Sequence, residues 1–278
     1  MRLGGPVFGE WPDPAEWVAA VKQHGYSACP CPLRDAADAD AVEAYRLAAG
    51  EADLVIAEVG AWSDPLSPDQ EKRQEALDLC RTRLDLADRI GARCCVNISG
   101  SRGDRWDGPH PDNLTRETFH LIVETVRGVI DDVQPTRTYY ALETMPWMFP
   151  DSPDSYVALI RAVDRERFAV HLDPVNLVWS PRLYYKTGAL IRECFEKLGP
   201  HIRSCHAKDV ALADHLTVHL SEVRPGLGGL DYAAFLHGLD GLDPDTPLML
   251  EHLPNAEEYR AGADHIRAVA RSEGIEIR

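Results

Sequence analysis

Eight short apolar runs, spaced by longer amphipathic segments over 278 residues, predict a single (β/α)8 TIM barrel. Three observations carry this expectation. The length suits one such barrel, the alternation holds from end to end, and the strand candidates are apolar throughout. Strands covered on both faces need that last property. No linker or low-complexity stretch interrupts the pattern, so one domain is expected over residues 1–278.

The strand candidates are Leu3–Val7, Tyr26–Cys29, Leu54–Glu58, Cys94–Ile98, Thr138–Glu143, Phe168–Asp173, Ile202–His206 and Leu248–Glu251. Helical segments between them carry readable starts. Asp13-Pro14 opens Ala15–Gln23, with proline at the first helical position and Gly25 just past the end. Ser67-Pro68-Asp69-Gln70 has capping-box spacing ahead of Glu71–Ile90, which Gly91 stops. Similar entries stand at Ser152-Pro153 and near Asn255. Helix-to-strand connections are short. Strand-to-helix connections are longer and rich in Trp, His, Arg and Gly, and Arg102–Asn113 reads as a lid.

Composition narrows the functions. Lys plus Arg total 29 against 45 Asp plus Glu, a formal net charge of −16. Such a surface repels phosphate backbones and anionic lipid, so nucleic acid and membrane partners are not expected. The seven cysteines are an odd count scattered through strand-like and helical runs, which fits reduced thiols. No leader-like segment and no membrane-length apolar run is present, so a cytoplasmic location is expected, with room for a homo-oligomer.

In barrels of this kind the site forms at the C-terminal strand ends. Four strand candidates end in Glu143, Asp173, His206 and Glu251, each directly after an apolar run. A lone carboxylate there is often a cap or turn residue. Three carboxylates and a histidine converging on one point would repel strongly without a cation between them. The oxygen-rich set suits one divalent metal, Mn2+ or Mg2+ first, with Co2+ or Zn2+ as alternatives. Glu58 and Asn97, near other strand ends, are substrate-binding candidates. Lys208, two residues beyond His206, is a candidate electrophile toward a substrate oxygen. Trp62, Trp106, His110 and Trp147 lie in strand-to-helix loops, where aromatic rings can stack on sugar C–H faces. Arg224 precedes the loop Pro225–Gly229, a place where barrels sometimes hold phosphate, although the glycines fit a plain turn equally well. His171 shares strand parity with Asp173 and is expected one layer below the metal. Ala141, Ser204 and Met249 should complete that layer.

Several segments together resemble the xylose-isomerase-like TIM-barrel superfamily, the group of sugar phosphate isomerases/epimerases that includes ketose 3-epimerases and inosose dehydratases. They are Ala57-Glu58-Val-Gly-Ala-Trp62, Leu142-Glu143, His171-Leu-Asp173-Pro-Val-Asn176, His206-Ala-Lys208-Asp209, Pro225-Gly226-Leu-Gly228 and Leu250-Glu251-His252. The resemblance implies that Glu143, Asp173, His206 and Glu251 ligate the metal, with Glu143 and Glu251 as acid/base catalysts on opposite substrate faces. It implies a divalent-metal-dependent isomerase or epimerase acting on a sugar-like polyhydroxy carbonyl compound through a metal-stabilised enediolate. Where those epimerases carry a histidine, this chain has Asn176, a substrate-facing candidate. Lys208-Asp209 matches the His-x-Lys-Asp segment of inosose dehydratases. A lyase or dehydratase acting on a keto-sugar, keto-glycoside or keto-inositol is therefore the alternative. The superfamily's abasic-site endonucleases need further histidines that this chain lacks.

Overall fold

The computed structural model describes residues 1–9, 11, 13–34 and 38–278. Among these, eight parallel strands close into the expected barrel: β1 (Arg2–Gly4), β2 (Ala28–Pro30), β3 (Val55–Gly60), β4 (Cys94–Asn97), β5 (Tyr140–Glu143), β6 (Phe168–Leu172), β7 (Ile202–Ala207) and β10 (Pro247–Leu250). Pairing of β10 with β1 completes the ring. Around it lie α1 (Pro14–Gln23), α2 (Ala39–Glu51), α3 (Gln70–Ile90), α4 (Arg116–Val133), α5 (Pro153–Val163), the single turn α6 (Pro181–Tyr184), α7 (Thr187–Leu198), α8 (Tyr232–Asp240) and α9 (Ala256–Glu273). An antiparallel hairpin, β8 (Asp209–Leu212) and β9 (Leu220–Val223), follows β7 and was not expected from the sequence. No helix among the described residues is long and apolar enough to cross a membrane.

The helix starts largely follow the sequence signals. Asp13 accepts a hydrogen bond from the Glu16 amide, with Pro14 in the first turn. Ser152 and Ser155 form a reciprocal capping box at α5, and Asn255 caps α9. One start shifts. Asp69, not Ser67, caps α3, because its carboxylate reaches the amides of Glu71 and Lys72 while Ser67 Oγ accepts only from Asp69. Gly91 ends α3 at φ 77°, in the left-handed region that favours glycine.

Two register shifts position the site. Cys29 pairs with Ile56 and Pro30 with Glu58, so Ala57 is an extra residue in β3. Ala57 packs inward with Ala28 and Met249, and the bulge turns Glu58 inward as well. Likewise Val170 pairs with Ile202 and His171 with Ser204, which makes Arg203 the extra residue of β7. Ser204 and His206 thereby face the interior beside His171.

Small side chains fill the lower barrel. Ala28, Ala57 and Met249 form one cluster, and Cys94, Val96, Ala141 and Ala169 another. A Cβ at Gly4 would collide with the Ala28 carbonyl oxygen and lie 2.7 Å from Met249 Sδ, so glycine is required there. Ala141, His171, Ser204 and Met249 are all buried, as expected. They do not make one layer: Glu143 stands beside His171 and Met249 beside His206, because the strands are staggered.

Candidate active site

At the C-terminal end of the barrel, Glu143, Asp173, His206 and Glu251 each present a ligand atom within 4.8 Å of the others. Glu143 closes β5, Asp173 and Glu251 stand one residue past β6 and β10, and His206 is the fifth residue of β7. His206 Nδ1 lies 2.8 Å from Glu143 Oε1 and 3.0 Å from Glu251 Oε2. Asn176 Nδ2 donates to Glu143 Oε1 at 3.4 Å. Val175 and Asn176 donate their amides to Asp173 Oδ1.

Glu58 lies beneath this quartet. Its Oε2 accepts from His171 Nε2 at 2.8 Å and Ser204 Oγ at 3.2 Å, and its Oε1 accepts from His206 Nε2 at 3.3 Å. Burial pushes the Glu58 carboxyl up, but His206 and His171 outweigh it and hold the group below the usual carboxylate range. An ionised carboxylate only accepts, so both Nε2 atoms carry protons. His206 consequently turns Nδ1 toward the three carboxylates.

Lys208 is buried among the same acids. Its Nζ is 2.9 Å from Asp173 Oδ2, 2.6 Å from Glu251 Oε2, 3.6 Å from Glu222 Oε2 and 3.7 Å from Glu143 Oε1. Burial would drive the ammonium and imidazolium neutral, yet the surrounding carboxylates raise Lys208 and His206 well above their ordinary values. Burial also raises Asp173 to about 6, with Lys208 opposing and Glu143 adding to it. Asp173 Oδ2 and Glu251 Oε2 remain buried without a hydrogen bond, although Lys208 lies within ion-pair distance of both. Three carboxylates and an imidazole nitrogen converging in one oxygen-rich set fit a divalent cation.

Above the acids opens a cavity of about 510 Å3. Trp62, Trp106 and Trp147 wall it at 38%, 40% and 38% exposure, and Met145, Glu222 and His252 complete the rim. The Trp147 indole N–H donates to the Asp107 carbonyl at 2.8 Å, which ties two loops together. Another cavity, about 800 Å3, opens at the opposite end of the barrel around Arg93, Arg137 and Arg203. No residue expected at the site lines it.

The xylose isomerase-like TIM barrel family model matches residues 18–269. The chain belongs to that family. No curated protein matches the sequence. Solved structures match its fold. A xylose isomerase-like TIM barrel protein from Mycobacterium smegmatis, in complex with magnesium, superposes with a TM-score of 0.67 at 17% identity, covering 97% of this chain and 95% of that one. D-psicose 3-epimerase with D-tagatose from Clostridium cellulolyticum H10 gives 0.67 at 16%, covering 97% and 99%. A probable 3-DHS dehydratase involved in petrobactin synthesis from Bacillus anthracis gives 0.67 at 16%, covering 92% and 93%.

Within this xylose isomerase-like barrel, the structure brings Glu143, Asp173, His206, Glu251, Lys208, Asn176, Trp62 and Trp147 together. Four expected substrate residues take other places. Glu58 borders an adjoining cavity of about 330 Å3 that Trp62, His206 and Glu251 also line, but both its oxygens are committed to the two histidines and Ser204. Asn97 has the strand parity of Cys95 and points outward to Cys80 on α3 and Ser63. His110 caps the short 3-10 turn Pro111–Leu114 by accepting from the Asp112 amide. Arg224 donates to Glu258 at 2.9 Å and to the Pro225 carbonyl. The stretch read as a lid is pinned by Asn113, Ser101 and Gly108, and by Arg102 donating to the Leu66 carbonyl. Glu222 and His252 were missed. Glu222 sits in a polar four-residue strand with no apolar pattern, and only the pairing with β8 carries it to Lys208. All seven cysteines are free.

Proposed function

We propose that the protein is a divalent-metal-dependent isomerase or epimerase acting on a sugar or sugar-like polyhydroxy carbonyl compound. The observation that carries this reading is the quartet Glu143, Asp173, His206 and Glu251, converging beneath a cavity walled by tryptophans. The likeness to a D-psicose 3-epimerase supports it at the level of fold. A cation held by these four residues would supply Lewis-acid polarisation of a carbonyl and acidify the adjacent C–H. Glu143 and Glu251 flank His206 Nδ1, and each is a candidate to take or return a proton at the substrate carbon. Asn176 fixes the rotamer of Glu143, and the indole rings exclude water from the reacting carbon.

Lys208 favours a second reading. Its ammonium contacts Glu251 and Asp173 and stands at the cavity floor, placed to donate a proton to a departing β-oxygen. That step would make a lyase or dehydratase. Incubating the Mn2+-loaded protein with ketoses, inososes and 3-keto-glycosides in D2O separates the readings. An epimeric or isomeric sugar carrying deuterium supports the isomerase, and an unsaturated or eliminated product supports the lyase. No exchange and no product with any of these classes would refute both.

A further inference from the structure

We propose a second binding site, for a small phosphorylated molecule, at the end of the barrel away from Glu143, Asp173, His206 and Glu251. The N-terminal face of a TIM barrel ordinarily serves stability. Here it opens into the cavity of about 800 Å3 lined by Arg93, Arg137 and Arg203. Arg93 directly precedes β4, Arg137 lies shortly before β5, and Arg203 is the extra residue of β7. Among the described residues one acid joins the lining, Asp243, and its Oδ2 already accepts from Arg93 Nη2 at 2.8 Å. Three cations against one anion leave two positive charges in excess. An adjoining cavity of about 360 Å3 shares Arg93 and Arg137 and adds one charge of each sign, Arg46 and Asp245, so the excess stands. The chain as a whole has a formal net charge of −16, and this cavity runs against it.

Contacts within the fold explain part of each guanidinium. Arg137 Nη2 donates to the Arg89 carbonyl at 2.9 Å. Arg203 Nη1 donates to the carbonyls of Pro200 and Ile202 at 3.0 and 2.9 Å, and its Cζ lies 4.3 Å from the centre of the Tyr139 ring. Carbonyls accept without cancelling the charge, and a guanidinium carries several further N–H groups. No described residue accepts from Nε or Nη1 of Arg137, or from Nε or Nη2 of Arg203. At the wall, Arg93 Nε and Thr246 Oγ1 are buried without a partner. Unused donors around an uncompensated positive charge suit an oxyanion. A carboxylate would answer one of the two excess charges. A phosphate monoester dianion answers both, and its oxygens match planar guanidinium forks. Tyr139, Phe195 and Leu242 supply an apolar wall for the organic remainder. The net acidity of the chain repels a nucleic-acid backbone, which restricts the ligand to a small molecule.

The test titrates the full chain, in excess Mg2+, with inorganic phosphate and with phenyl phosphate by isothermal calorimetry. Both should bind saturably, phenyl phosphate the tighter. Arg137→Gln and Arg203→Gln should each weaken binding at least about tenfold, the scale of one lost charge-assisted hydrogen bond. Arg83→Gln, beside the cavity shared by Trp62 and Glu251, should leave the affinity within about twofold. Labelling of the wild type by p-hydroxyphenylglyoxal, read by peptide mass spectrometry, locates the ligand without any substitution. Phosphate should slow labelling of Arg137 and Arg203 and spare Arg34 and Arg83. Absence of saturable binding, protection confined to Arg34 and Arg83, or unchanged affinity in both glutamine variants at the barrel's N-terminal face would overturn the proposal. Because this site stands apart from the quartet, any of those results would leave the sugar-enzyme reading untouched.

Discussion

Glu58 shows how one buried carboxylate can set the chemistry of a neighbour it never lets reach solvent. By accepting from His206 Nε2 it fixes the imidazole with Nδ1 toward Glu143 and Glu251. Partners of this kind affect metal affinity through the ligand they orient. Glu58→Gln should therefore weaken Mn2+ binding by about 10- to 100-fold while leaving the barrel folded. Titration of the Mn2+ EPR signal, with 15N NMR of His206 for the tautomer, measures both effects. Unchanged affinity and tautomer would assign Glu58 to packing alone. Glu143→Gln and Glu251→Gln should each lower turnover by at least about a hundredfold at saturating metal, the scale for losing a positioned acid or base. Steady-state kinetics on the identified substrate decides this, and full activity in either variant would place the base elsewhere. The convergence of Glu143, Asp173, His206 and Glu251 was legible because each follows an apolar run at a strand end. Asn97 was misread by one residue of parity, and Glu58 by a bulge that no single-sequence pattern announces. His110 and Arg224 sit in loops, where spacing does not determine direction.

At the scale of elements, the helices and strands were readable from their periods, whereas the β8–β9 hairpin was not. Its strands are four residues each, and the second, Leu-Ser-Glu-Val, is half polar. Such short segments carry too little repeat to separate from loop. The tight centre of the barrel gives a stability prediction. Gly4→Ala places a methyl against the Ala28 carbonyl and Met249, and should cost about 1–3 kcal/mol, the usual range for overpacking. Urea denaturation reads this directly, and a loss under half a kilocalorie would mean that β1 can shift freely. A pH prediction belongs to the connection between the β3–α3 and β4–α4 loops. Asp64 Oδ1 accepts from the amides of Leu66 and Ser101, and burial raises its carboxyl from 3.8 to about 6. Between those values the folded chain binds the extra proton, so this group's contribution falls as pH rises and becomes a fixed cost above about 6. Asp64→Asn removes that cost. Its thermal midpoint should exceed the wild type's at pH 8, and the difference should shrink as pH falls toward 4. A difference that stays flat with pH would refute the assignment.

For the molecule as a whole, the balance of buried charge matters more than any one contact. Four carboxylates, Glu143, Asp173, Glu222 and Glu251, lie within 4 Å of one ammonium, that of Lys208. Deleting one partner of a buried charge set leaves the others uncompensated, commonly at about 3–5 kcal/mol. A divalent ion would offset two more of these negative charges, and would also stabilise by mass action. Lys208→Met should therefore widen the gap in thermal midpoint between chelator-treated and Mn2+-loaded protein. Differential scanning calorimetry in EDTA and in excess Mn2+ tests this, and an equal gap in variant and wild type would show that Lys208 is not the internal counter-ion. Because the counter-charge is part of the polypeptide, completing the barrel does not depend on having an ion in hand. Under the proposed function, metal uptake would then be a late, reversible event on a finished scaffold, with occupancy set by whichever ion the surroundings supply. Chelated protein should keep its circular dichroism and regain activity within the mixing time of added Mn2+, with no refolding lag.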